Sequence, residues 1–161
     1  MLRSSLFLAV MTCVFASEAS ARTGFAFVLT GAAEIPPLTT TATGSGIAVL
    51  SDAGDTLLVS FAFRGLLGDY AASHIHGPGT PTQLSGLRFT LEAVVAPDLR
   101  SGTCENRYAI PASEVTWLTS GLFYVNIHSL FAPNGELRGQ ILADATPTRR
   151  SSFARLKALY R

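Results

Sequence analysis

Three histidines are the residues of this sequence whose type and spacing best suit a metal-binding site. His74 and His76 stand one residue apart in "AASHIHGPGT", and His128 closes "LFYVNIH". In a β-strand, residues two apart point to the same side, so the first pair presents two imidazoles on one face. Imidazole nitrogen is a good ligand for copper and zinc, and a ring from a neighbouring strand would complete a three-nitrogen site with one open position.

Four nearby polar residues are candidates to orient these rings from behind: Asn126, Glu136, Ser73 and Tyr70. A metal-bound imidazole needs such a partner to fix its tautomer. If an ion is bound, the three ring nitrogens should approach one another to within about 4 Å. A second interpretation stays open, in which the histidines only hydrogen-bond to backbone groups or to a carboxylate and hold a loop in place.

Other reactive constellations have less support in the sequence. Ser73, His74 and Asp69 lie close together, but no G-x-S-x-G nucleophile elbow accompanies them. The glycines of "ATGSG" lack the lysine and the strand–loop–helix context of a phosphate-binding loop. Cys104 has no evident activating base, so we expect a buried thiol in a loop, or one that pairs between molecules. The sequence therefore predicts no enzyme.

The first 21 residues predict a secretory signal peptide. One positive charge at Arg3 precedes an apolar run, and small residues ending in Ala19-Ser20-Ala21 form an A-x-A pattern, with cleavage expected after Ala21. The run is too short to span a bilayer, and no later apolar run reaches about 18 residues. We therefore expect an exported protein, periplasmic or secreted, without a transmembrane segment.

Charge divides the remaining chain into a mildly acidic domain and a basic tail. Residues 22–144 carry ten acidic and six basic side chains, whereas residues 145–161 carry five basic and no acidic ones. The tail could contact an anionic surface. The alternative is a solvated terminus. Nucleic-acid binding has no support outside this tail. The expected partner is therefore an unidentified extracellular or periplasmic protein or ligand.

The domain is predicted to be all-β. Short runs rich in β-branched and aromatic residues alternate with Gly, Pro, Asp and Asn clusters, which is typical of an antiparallel Greek-key β-sandwich of immunoglobulin or superoxide dismutase type. The expected strands are 24–30, 46–51, 56–63, 87–95 and 122–128, with "DAGD" as a hairpin turn. One short helix is expected, with Ser113 as its N-cap and Gly121 as its stop.

Strand alternation also predicts the core and the faces of the last strands. The expected core comprises Phe25, Phe27, Leu29, Val49, Leu58, Phe61, Phe63, Ile75, Phe89, Leu91, Val125, Ile127, Leu137 and Ile141. Asn126 and His128 should lie on the face away from this core. Gly135 should occupy the turn that leads into the last strand.

Four motifs together resemble the chordin-type, or CHRD, domain. They are "LTGAAEIPPLTTTATGSGIAVL" (29–50), "FRGLLGDYAASHIHGPG" (63–79), "IPASEVTWLTSGLFYVNIHS" (110–129) and "PNGELRGQI" (133–141). The resemblance runs from about Phe25 to Leu142, nearly the whole domain. It implies an extracellular protein; in animals such domains belong to proteins that bind growth factors. No established reaction comes with the family. A single exported copy is therefore expected to be a non-catalytic binding module.

The segment "FRGLLGDYAASHIHGPG" is also similar to part of the copper/zinc superoxide dismutases, where a Gly-Leu turn leads into a His-x-His strand that ligates copper. The chain departs from that pattern because only His128 follows the pair, and because a zinc loop and the structural disulfide are missing. The resemblance implies a sandwich fold but not a full dismutase site. The alternative function is thus a copper- or zinc-binding protein with minor redox activity.

Overall fold

A computed structural model describes residues 23–143 of the chain. The expected signal peptide and the expected basic tail lie outside the described residues. Within residues 23–143 the prediction of an all-β protein with one short helix is confirmed.

Ten strands and one α-helix follow one another along the chain. The strands are β1 (Thr23–Thr30), β2 (Thr43–Leu50), β3 (Thr56–Arg64), β4 (Tyr70–His76), β5 (Leu87–Leu91), β6 (Ala93–Val95), β7 (Gly102–Ala109), β8 (Tyr124–Ser129), β9 (Leu137–Gln140) and β10 (Leu142–Ala143). The helix α1 (Ala112–Thr119) precedes β8, and a short 3-10 turn (Gly31–Ala33) follows β1.

The strands form one antiparallel sheet that curls into a nearly closed, sandwich-like barrel. Its order is β5-β4-β8-β9-β1-β2-β3-β7-β6, and β10 also pairs with β1. The hairpins β1–β2 and β2–β3 pair along their full length, whereas β4–β8 and β1–β9 join segments that are distant in sequence. These non-local pairs bring the His-x-His strand beside the strand that carries the third histidine.

The core fills the inside of the curled sheet, and eleven of the fourteen expected residues are fully buried there. Two expectations were wrong by one position: Val49 and Leu58 are half-buried, while their neighbours on both sides, Ala48 with Leu50 and Leu57 with Val59, are buried. Because side chains alternate across a strand, a one-residue error moves a side chain to the opposite face. Phe89 is only partly buried but packs against the core.

Strand β7 and the helix start were not anticipated correctly. The prediction placed Cys104 in a loop; it lies instead on β7, 2 % exposed, and burial raises the pKa of its thiol to about 12. The helix begins two residues earlier than expected, with Pro111 rather than Ser113 as its N-cap. Gly121 has a φ of 69°, the left-handed conformation that ends many helices, as predicted.

Strand β8 is covered on both faces, and Asn126 lies on the face away from the core, as predicted. The expected core residues Val125 and Ile127 are buried, but Asn126 on the other face is also only 5 % exposed. The turn before β9 contains Gly135, as predicted, with a φ of 134° that favours glycine. A side-chain carbon there would also meet the amide of Asn126, so the turn closes over this second face.

Candidate metal centre

Pairing of β4 with β8 brings the three histidines onto one face. In this antiparallel pair, His74 stands opposite Asn126 and Ala72 stands opposite His128. Residues directly opposite each other point to the same side, and diagonal neighbours lie within reach of long side chains. His128 is therefore a diagonal neighbour of His74, and His76 follows on the same face. We call these three residues the histidine cluster.

The ring nitrogens of the histidine cluster converge. One nitrogen from each ring lies within 4.8 Å of the other two, and all three side chains are half-buried. The closest pair is His74 Nδ1 and His128 Nε2, 3.0 Å apart. Two nitrogens bound to the same zinc ion are at most about 4 Å apart. The cluster is thus slightly wider than a loaded site, and small ring movements would bring the nitrogens around one ion.

Two backbone carbonyls fix the tautomers of two of the rings. His76 Nδ1 lies 3.1 Å from the Ser85 carbonyl oxygen, and His128 Nδ1 lies 2.9 Å from that of Pro133. A carbonyl oxygen only accepts, so each Nδ1 carries the hydrogen and each Nε2 keeps its lone pair. A backbone carbonyl is a frequent partner of the second nitrogen of a metal-bound histidine. Both rings are therefore oriented as metal ligands require.

The third ring completes the hydrogen-bond pattern. Because His128 Nε2 has a lone pair, the His74 Nδ1–H donates the hydrogen bond between the two rings. His76 Nε2 is buried and has no hydrogen-bond partner among residues 23–143. If the hydrogen of His74 moves to its Nε2, the cluster offers three nitrogen lone pairs. The buried Nε2 of His76 would gain a partner in a bound cation.

The surroundings keep the rings neutral. Burial lowers the pKa of all three histidines, and the adjacent rings lower the pKa of His74 further. Neutral imidazole is the form that binds a metal, because the protonated ring has no free lone pair. The cluster is thus in its ligating form at neutral pH.

Tyr124 forms the inner wall of the histidine cluster. Its ring stacks on His76 with centroids 5.2 Å apart and an interplanar angle of 11°, and the Arg138 guanidinium carbon lies 3.6 Å from its ring centroid. The Tyr124 hydroxyl accepts from the Ser85 N–H at 3.0 Å, which steadies the segment whose carbonyl orients His76. The sequence did not identify this residue as part of the site, although alternation already placed it on the face of His128.

The four expected supporting residues bind elsewhere; none of their side-chain hydrogen bonds in the described part of the chain reaches an imidazole. Ser73 is fully buried on the core side of β4, where it hydrogen-bonds to the Tyr70 hydroxyl and the Leu91 carbonyl. Its side chain points away from the cluster because it neighbours His74 in the strand.

Asn126 and Glu136 also hydrogen-bond to groups other than the imidazoles. Asn126 Nδ2 donates to Glu34 Oε1 at 2.5 Å and to the Leu137 carbonyl at 3.0 Å. The buried Glu136 carboxylate accepts from the Thr40 hydroxyl and the Leu67 N–H, both at 2.8 Å, and from the Ser129 hydroxyl. The orienting groups are instead the carbonyls of Ser85 and Pro133, which no side-chain type in the sequence could reveal.

Comparison with known proteins places the chain in a family. No helix among the described residues is long and apolar enough to cross a membrane. No curated protein and no solved structure matches the chain. The model of one family, described as the CHRD domain, matches residues 25–141. Because this match covers well over half of the sequence, the chain belongs to the CHRD domain family.

Proposed function

We propose that this protein is an exported, non-catalytic binding module that holds one copper or zinc ion on His74, His76 and His128. The observation that carries the proposal is the convergence of three ring nitrogens within 4.8 Å. CHRD domains are extracellular-type binding domains, and the N-terminal segment expected to be a signal peptide supports export. Three nitrogens leave one coordination position for water or for a ligand of a partner.

The donor set supports copper and zinc over harder cations. Imidazole suits copper, zinc and nickel, whereas calcium and magnesium prefer oxygen ligands. Between copper(II) and zinc, an unconstrained nitrogen site binds copper more tightly. The metal would supply a Lewis-acidic position on the second face of the sheet, and any redox activity would be secondary.

A purely structural role explains His76 less completely than a metal site does. His128 would be fully accounted for by its bonds to Pro133 and His74. His76 would keep a buried Nε2 without a partner, and a buried unsatisfied acceptor costs about 1–3 kcal/mol. A cation at this nitrogen would remove that cost, which is why metal binding is the better-supported function.

Metal stoichiometry tests the proposal directly. Protein without a His-tag is equilibrated with copper(II) or zinc, desalted and measured by elemental analysis. We expect about one ion per chain, and a loss of about tenfold or more in affinity for His76→Ala and His128→Ala, since each removes one of three ligands. For the copper form, electron paramagnetic resonance should show nitrogen hyperfine coupling.

Cys104→Ser is the matched control because it removes the other side chain in the domain that binds soft metals. Its thiol is buried, so the variant should keep the full stoichiometry. Absence of metal under copper- and zinc-replete conditions would leave the structural interpretation. Equal binding by the wild type and both histidine variants would also refute the site.

A further inference from the structure

We propose that a cleft on the second face of the sheet, separate from the histidine cluster, binds a carboxamide group carried on an apolar body. The cleft has a volume of about 450 Å³, which is within the range of small-molecule sites. Its walls include Ile35, Pro37 and Pro81, and its polar lining includes Glu34, Arg138 and Gln140. The inference does not depend on metal binding.

Arg138 contributes an unused hydrogen-bond donor. The side chain is 1 % exposed, and its Nη2 donates to the Thr80 and Gln83 carbonyls at 3.0 and 2.9 Å. Its Nη1 is buried and has no partner among the described residues. Leaving such a group unpaired is unfavourable, so a ligand that accepts a hydrogen bond here gains more than one bound at the surface.

Gln140 contributes an unused acceptor. Its Nε2 donates to the Gly79 and Gly121 carbonyls at 2.8 and 2.6 Å, which fixes the orientation of the amide. Its Oε1 is buried and has no partner within residues 23–143. Arg138 and Gln140 are two residues apart on β9, so their side chains leave the strand on the same side. Both residues line the cleft, so we infer that a ligand seated there reaches one donor and one acceptor on the same strand face after small movements of the two buried side chains.

A carboxamide matches this pair, because its carbonyl accepts and its N–H donates from adjacent atoms. A carboxylate would satisfy Arg138 but has no hydrogen for Gln140. It would also place a negative charge near Glu34, whose carboxyl already interacts electrostatically with Arg138. The charge of Arg138 is further balanced by the face of Tyr124. Charge and hydrogen-bond pattern together favour a neutral ligand.

The test compares three probes of nearly the same shape by nuclear magnetic resonance titration of the full chain in the millimolar range. Benzamide offers an acceptor and a donor, N,N-dimethylbenzamide lacks the donor, and benzoate is charged. We expect saturable shifts at Thr82, Arg138 and Gln140 with benzamide, and binding weaker by about tenfold or more for the other two probes. Acetyl-leucinamide tests whether the natural carboxamide belongs to a peptide rather than to a free small molecule.

Ala32→Trp is the blocking variant, because Ala32 lines the cleft and is exposed, so a large side chain fits at the mouth without entering the core. Ala53→Trp, at an exposed position of the β2–β3 turn, is the matched control. We expect the first variant to abolish benzamide shifts and the second to keep them. Gln140→Met, which removes the acceptor, should weaken binding if the variant folds.

The proposal is overturned if benzoate binds as tightly as benzamide, since the cleft would then be an anion site. It is also overturned if the shifts survive in Ala32→Trp, or if no probe binds and ordered water alone fills the cleft. Binding of benzamide or of acetyl-leucinamide, blocked by Ala32→Trp, supports it and distinguishes the two sources.

Discussion

The pKa of the Glu34 carboxyl is determined by its buried position in the fold. The residue is 7 % exposed, and burial raises the pKa of its carboxyl to about 7, against the opposing effects of the Asn126 hydrogen bond and the charge of Arg138. The carboxyl is therefore partly neutral near pH 7. In the sequence it is an acidic residue shortly before a proline pair, with no sign that it is buried.

Replacing Glu34 by glutamine should reverse a loss of stability at higher pH. Below the unfolded pKa of 4.5 the carboxyl is neutral in both states and costs nothing. As pH rises from 4.5 to about 7, the unfolded state releases its proton before the folded state does, so the wild type loses stability, and the loss levels off above pH 7, where the folded carboxyl also ionises. Between pH 4 and pH 8 we expect Glu34→Gln to gain about 3 kcal/mol over the wild type.

Urea unfolding at each pH measures this difference. The glutamine retains an oxygen for Asn126 Nδ2, so the hydrogen bond at 2.5 Å is preserved. Well below pH 4.5, the difference in unfolding free energy between Glu34→Gln and the wild type should become independent of pH, which serves as an internal control. A difference that stays the same from pH 4 to pH 8 would show that this carboxyl titrates normally in the folded protein.

Strand β2 shows how close packing selects a residue at the level of an element. Gly46 lies on β2 between β1 and β3, where a side-chain carbon would come within 2.5 Å of the Phe27 ring, the Phe61 Cβ and the Ser60 carbonyl. Glycine is unfavourable in a strand in general. Here its missing side chain makes room for two core aromatics.

Gly46→Ala should therefore destabilise the protein although alanine suits a strand better than glycine. Overpacking of this kind costs about 1–3 kcal/mol. Ser45→Ala is the matched control, since Ser45 is the exposed neighbour in the same strand, and its cost should stay within about 0.5 kcal/mol. Thermal and urea unfolding compare the two variants. Equal stability of Gly46→Ala and Ser45→Ala would contradict this prediction, because it would mean that the two aromatic rings can move to accept a methyl group without loss of stability.

At the scale of the whole molecule, side chains rather than a further ladder of backbone bonds draw the ends of the sheet together. The Tyr108 hydroxyl on β7 donates to the Thr90 carbonyl on β5 at 2.6 Å. The Asn106 side-chain oxygen on β7 accepts from the Glu92 N–H at 2.7 Å. The rings of Phe89 and Tyr108 pack with centroids 4.9 Å apart. Asn106 and Tyr108 are thus polar links between the two ends of the sheet, which we call the seam of the barrel.

Asn106→Ala should loosen this seam and leave the centre of the sheet intact. Loss of its hydrogen bonds is expected to cost about 1–2 kcal/mol. Hydrogen exchange should accelerate at the amides of β5 and β6 more than at those of β1 and β2, since local openings start where few backbone bonds resist them. Thr103→Ala, an exposed change on the same strand, is the control. Uniform acceleration across all strands would instead indicate global destabilisation.

Sequence reasoning succeeded where local chemistry decides. Strand β1, strand β3 and the "DAGD" turn follow from residue type and turn glycines, and the predicted boundaries agree within one residue. It chose the wrong buried face of the strand at Val49 and Leu58, because apolar residues occupy both faces of those strands and only tertiary packing selects the buried one. It also missed β7, whose polar side chains resemble a loop.

The sequence by itself determined that two imidazoles share a face, since alternation along one strand is a local property of the backbone. Only the tertiary structure decided that His128 joins them, because the pairing of β4 with β8 joins segments some fifty residues apart. The burial of Glu34 and Arg138 also involves contacts between distant segments, since Glu34 accepts from Asn126 and Arg138 donates to the Thr80 and Gln83 carbonyls. Such contacts depend on which strands meet, and local composition does not encode that choice.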